Sequence, residues 1–421
     1  MNINLKKDIL TPILLFFIAF GILVGSGSLY RFVYNYNLIM VFTMSLMCGV
    51  IFLQFFIPST ATNKPNFTTN FPDEINYPGL IIIMFFIFSP ILSDIINQVE
   101  SYEITYFYIA MMLIVFLLGT NHRKRILNYY LKIMVVLAVI SIFYFFVELF
   151  FELPSSVPYY GIARPTWLHF YYVWSKPVTE MIIVRNQSIF WEPGAFGFHL
   201  IISMLVAYKT KNKYFIIILL AACLTTLSTT VYVFLVFLFL HQLFYGNNKI
   251  KLISITVLSS VAIFLTIWII LGDFELIKYL VEVITLKFSP SSGAYGSFQD
   301  RNLYVLESLK LFLDNIFLGA GHYSTDTLLK NTDSETSALA GLMAELGLFG
   351  ILCILLYIRF FRHFKLFAIP IALIWLNGEY MQYSPIALFI LAHSVDDFSN
   401  RLFPISIRSP IIPQDKFEHS Y

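Results

Sequence analysis

The chain has 421 residues, of which 58% are hydrophobic, 18% aromatic and only 12% charged, with a formal net charge of +2. A soluble domain carries about 25% charged residues, so this composition excludes an ordinary soluble enzyme and indicates an all-α polytopic membrane protein. No basic domain or stripe is present, so nucleic acid is excluded as a partner; Cys48, Cys223 and Cys353 each sit in an apolar run, which indicates neither a disulfide frame nor a zinc site.

In chain order, Lys6 and Lys7 precede an apolar run from Ile9 to Val24 with no A-x-A cleavage site after it, the pattern of a retained first span with a cytoplasmic N-terminus. Spans two to four are read at 38–57, 79–97 and 104–119, the last ending in the basic cluster His122 to Arg125, and span five returns outward near Phe150. A large loop, 151–191, leads to span six from Pro193 to Tyr208, stopped by Lys209, Lys211 and Lys213. Tyr214 to Tyr245 is too long for one crossing of a core about 30 Å thick. The polar knot Thr225 to Thr230 divides it into a hairpin of two short spans.

Span nine, 252–271, opens a second large loop, 272–336. There Leu306, Leu309, Phe312, Leu313 and Ile316 recur at helical spacing, with Asp300 as N-cap and Arg301 in the first turn, as in a helix lying in the membrane interface. Span ten, Ala338 to Ile358, and two more spans bring the chain to Val395, before a polar cytoplasmic tail, 409–421. The expectation is about twelve transmembrane helices in one integral membrane domain, 1–421, with both termini cytoplasmic and Lys/Arg clusters at alternate turns.

Both outer loops carry Arg and Lys against that bias, which suggests an anionic substrate on the outer face. In the first, Arg185-Asn-Gln-Ser-Ile-Phe-Trp-Glu192-Pro193-Gly places a cation seven residues before a carboxylate. Pro193 suits a first helical turn and Glu192 the positive end of that helix. The pair fits either a salt bridge that anchors the loop or half of a working site. Arg164 stands in the same loop, among Trp167, Tyr171, Tyr172 and Trp174, which fit sugar stacking or an interfacial aromatic belt. The second loop holds Arg301, Gly319-Ala-Gly321-His322 and Glu335, followed in span ten by Ala344-Glu-Leu-Gly-Leu-Phe-Gly350.

These segments, in this order, resemble the O-antigen polymerase and ligase superfamily of bacterial surface polysaccharide assembly. The resemblance implies a GT-C-like glycosyltransferase of the bacterial inner membrane. Such an enzyme joins sugars carried on undecaprenyl pyrophosphate at the periplasmic face, between two large periplasmic loops. Ligases of the superfamily have a His-Asn pair about nine residues before the last motif's glutamate; here Thr336 and Ser337 stand there, which favours a Wzy-type polymerase. Lipid-linked donor and acceptor oligosaccharides, membrane lipid, a chain-length regulator and a flippase are the partners implied. On this reading Arg164, Arg185 and Arg301 bind pyrophosphate, and Glu192, His322 or Glu335 serves as base. No cofactor and no metal is expected. A transporter of polysaccharide or lipid and a non-catalytic assembly subunit are the readings from other classes.

Overall fold

A long apolar run satisfies its own backbone hydrogen bonds only as a helix, and the chain follows that rule. A computed structural model describes residues 3–26, 36–56, 77–96, 103–150, 155–159, 162–167, 171–178, 181–190, 193–226, 228–246, 293–321, 337–378 and 384–402. Five helices come first: α1 (Ile3–Gly25), α2 (Tyr36–Phe56), α3 (Tyr77–Ile96), α4 (Glu103–Leu117) and α5 (Thr120–Phe150). Four strands follow, β1 (Ser155–Tyr159), β2 (Ile162–Trp167), β3 (Tyr171–Val178) and β4 (Met181–Asn186). Then come α6 (Pro193–Lys209), α7 (Lys213–Thr225), α8 (Thr229–Tyr245) and α9 (Gly293–Asp314). The last helices are α10 (Ala338–Leu346), α11 (Leu348–Phe360), a 3-10 turn (Arg362–Phe367), α12 (Ala368–Gly378) and α13 (Pro385–Leu402).

Among the described residues, two helical segments, Pro78–Ile96 and Thr120–Val147, are long and apolar enough to cross a membrane, and five shorter apolar helices accompany them. Ile81, Phe85, Val136 and Phe143 are exposed on the outside of those two, the surface that lipid would cover. The hairpin over Tyr214 to Tyr245 forms, turning at Thr226 and Ser228 between α7 and α8. Span nine, the tail and most of the second loop lie outside the described residues.

The described segments are mostly helical, in line with the all-α reading, which needs one addition. The first large loop folds as an antiparallel meander, β1-β2-β3-β4. Pro158, Pro165 and Pro177 break any helix there, and the alternating Val, Ile, Tyr and Trp residues suit a pleated surface. Two further details differ. Helix α9 starts at Gly293, so Asp300 and Arg301 lie within it rather than at its start. Span ten is two helices, α10 and α11, separated at Gly347.

Helix α13 is the hub, packing on α1, α3, α4, α5 and α11. Its run from Ile386 to Ala392 is fully enclosed. Near its far end Asp396 forms a buried ion pair with Arg123 of α5 and accepts from Thr120 Oγ1 at 2.6 Å. The Arg123 guanidinium also donates to the carbonyls of Val115 and Phe116 at 2.9 and 2.6 Å, closing the C-terminus of α4. One side chain therefore ties α4, α5 and α13. Removing one partner of a buried pair strands the other charge, so Arg123→Ala should lower stability by about 3–5 kcal/mol. Arg123→Met combined with Asp396→Leu should recover most of that loss, as read by unfolding of the purified protein in detergent.

Candidate functional site

The segment after β4 is held by a small polar network. Asn186 Nδ2 donates to Ser141 Oγ on α5 at 3.0 Å and to Thr225 Oγ1 at the end of α7 at 2.8 Å. Its Oδ1 accepts from Ser188 N at 3.0 Å, and Phe190 N bonds back to the Gln187 carbonyl at 3.1 Å. Ser188 holds a left-handed backbone, φ 52°, a conformation that non-glycine residues keep only when their surroundings impose it. Phe190 then stacks on Phe196 and His199 of α6 at 5.5 and 4.3 Å between ring centres. The turn between the sheet and α6 is thus pinned from three sides. Gln187 is buried in it, with neither side-chain amide atom hydrogen-bonded among the described residues.

His199 is the polar residue that the sequence reading passed over. Its Nε2 faces the Ser26 carbonyl, which can only accept, so Nε2 carries the hydrogen and Nδ1 accepts from Tyr130 O–H at 2.5 Å. Ser26 Oγ in turn accepts from Ile386 N at 3.0 Å. The imidazole thus links α5 and α6 to the residue that ends α1, and the hydroxyl of that residue adds α13. A histidine inside a largely apolar helix is the signal that could have found it. Nothing in the sequence of α5 marks Ser141.

The second-loop motif docks into the break in span ten. Ala320 N donates to the Ala344 carbonyl at 2.8 Å, Gly321 N to that of Glu345 at 3.2 Å, and Leu348 N to that of Ile316 at 2.8 Å. Gly319 and Gly347 have φ of 75° and 59°, and a Cβ on Gly319 would lie 2.2 Å from the Glu345 carbonyl oxygen. Glycine is needed at both places, for the backbone angle and for the space. Ser93 Oγ on α3 donates to the Gly319 carbonyl at 3.3 Å, and Asp94 and Glu345 are buried nearby in sequence to these contacts. The Gly-Ala-Gly and Ala-Glu-Leu-Gly segments are therefore one assembled unit.

Both assemblies stand far from the Arg123 end of the bundle. At 1.5 Å per helical residue, Ser141 lies about 27 Å along α5 from Arg123, and Gly347 about 18 Å along α11 from Arg359. Arg185 is opposite Trp174 in the β3–β4 ladder, and Arg164 is opposite Ser156 in the β1–β2 ladder. Two of the expected arginines thus share one sheet, which rests on α5 and α7, while Arg301 belongs to α9, which rests on α10. Helix α12 packs against both α6 and α10, so it joins the two halves. Glu192, His322 and Glu335 lie outside the described residues.

Gly319→Ala should destabilise the protein by about 1–3 kcal/mol from backbone strain alone, with the overlap adding to it. Asn186→Ala takes the acceptor from Ser188 N, while Ser141 and Thr225 keep their bonds to the Ala138 and Ala222 carbonyls, and should lower stability by about 1–3 kcal/mol; thermal unfolding of the purified variants checks both. No protein-family profile matches the chain, and comparison with curated proteins and with solved structures returned no match either.

Proposed function

We propose that the chain is a membrane glycosyltransferase of the polysaccharide polymerase type, working on lipid-linked oligosaccharides at the face opposite its basic end. On this reading the Lys/Arg end faces the cytoplasm, following the positive-inside bias, and the sheet and α9 face outward. The observation that carries it is the placement of the motif-bearing segments. The turn after Arg185 and the docked Gly319–Gly321 loop both stand at the end away from Arg123 and Arg359, where a substrate anchored in the outer leaflet would arrive.

In the reaction a sugar hydroxyl of one lipid-linked repeat unit attacks the anomeric carbon of the glycan on another. The bond from that carbon to the pyrophosphate oxygen breaks, undecaprenyl pyrophosphate leaves, and the hydroxyl proton passes to a base. Arg185, Arg164 and Arg301 stabilise the charge that develops on the departing oxygens, because a guanidinium presents planar, paired donors and stays protonated. Glu192, His322 and Glu335 are the proposed bases; such a group contributes about 10² to 10⁴ in rate. Gln187 supports the same placement, since a buried amide with no partner among the described residues, two residues from Arg185, suits a polar substrate group.

A second reading has its own support. A helix broken at Gly347, with Glu345 buried just before the break and Asp94 of α3 buried next to the Ser93 that bonds the docked loop, is a feature that transporters use for midplane binding. Reconstituted protein given lipid-linked repeat units separates the two: polymer formation is expected, and translocation without polymer would replace this proposal with the transporter. In the same assay Arg185→Ala and Arg301→Ala should each abolish polymer at normal protein level, and near-normal polymer would remove that arginine from the site.

A further inference from the structure

At the Arg123 end the described cations outnumber the carboxylates that face them. Asp397 of α13 accepts from Arg359 Nε at 2.9 Å and from Arg362 Nη1, while Asp396 beside it is occupied by Arg123 and Thr120. Arg362 gives one of its donors to that carboxylate and no other described hydrogen bond uses the rest. Lys209 and Lys365 form no ion pair among the described residues. Each instead lies against an aromatic ring, Lys209 Nζ at 4.4 Å from the centre of Phe360 and Lys365 Nζ at 4.2 Å from that of Tyr245. A cation over a ring face keeps N–H bonds free for another acceptor.

Two more observations locate the surplus at the turn between α11 and α12. Burial pushes the His363 imidazole below its ordinary range, Lys209 and Arg362 push it further, and Asp397 offsets only part of that. Lys365 holds φ 51° and ψ −120°, a backbone conformation that L-residues rarely adopt, so its position is imposed by the packing around it. A general bias of Lys and Arg toward one membrane face accounts for cations being at this end. It does not account for Arg359 and Arg362 converging on one half-buried carboxylate with two lysines held beside aromatic rings.

We propose that the start of the 3-10 turn Arg362–Phe367, with the end of α6, forms a binding site for a phosphate-bearing anion, held by Arg362 and Lys209. Arg362 offers its remaining planar donors to two phosphate oxygens, and Lys209 supplies a point charge. Asp397 orients the arginine and sets how much positive charge is left over. The phosphate comes either from an anionic phospholipid headgroup, which basic pockets between membrane helices accept, or from a free phosphate in solution.

The test uses the full chain in nanodiscs of zwitterionic phosphatidylcholine, followed by thermal unfolding. Phosphatidylglycerol is added to the discs in one arm and inorganic phosphate to the buffer in the other. A saturable rise in melting temperature is expected in one arm, and the arm that responds identifies the source. Lys209→Gln with Arg362→Gln should weaken the apparent affinity about tenfold, the loss of at least one charge-assisted hydrogen bond. Asp397→Asn should tighten it, because the counter-charge is gone. The site is refuted if neither probe raises the melting temperature, if the double variant responds like the parent, or if Asp397→Asn weakens the response, which would mark the cluster as purely structural.

Discussion

Two consecutive carboxylates on one buried helix set the frame of this protein. Asp396 points to Arg123 and Asp397 to Arg359 and Arg362, so neighbouring positions of α13 hold helices on different sides of it. In an apolar environment an unpaired charge is far more costly than a poorly packed methyl group, and ion pairs therefore fix helix positions where hydrophobic contact alone would allow sliding. Hydrophobic residues such as Ile386, Phe389 and Ile390 fill the space around that axis, but the charges decide its register.

The polar groups divide between the two ends of the bundle. Around Arg123 and Arg359 they are ionic and linked through carboxylates. At the other end the described side-chain hydrogen bonds join amide, hydroxyl, imidazole and backbone groups, as in the Asn186, His199 and Gly319 contacts, and Asp94 and Glu345 are buried on the elements that meet there. Such uncharged networks specify geometry without the desolvation cost of a charge.

Much of this was legible in the residues. Apolar length gave the helices, and the Thr225 to Thr230 knot gave the α7–α8 turn, because both follow from local chemistry. The meander over Ser155 to Asn186 was missed since a loop rich in Pro and aromatics reads as irregular until strand pairs are known. The break at Gly347 was hidden because α10 and α11 are continuous in hydrophobicity; only the chain from Ile316 to Gly321, distant in sequence, makes the interruption favourable by supplying bonds to its exposed ends. Arg185, Glu192 and His322 were singled out by a motif pattern, whereas the bond between Asn186 and Ser141 could be found only by seeing which hydroxyl an amide reaches.

The docking of Ile316 to Gly321 into that interruption has a mechanical consequence. Three main-chain bonds bridge the loop to both halves of the broken span, so neither half can tilt without dragging the surface segment along. A displacement starting at the docked segment would reach Arg359 through α11 by rigid leverage, and the reverse would hold equally. The kink works less as a defect than as a joint whose pin belongs to a different part of the chain.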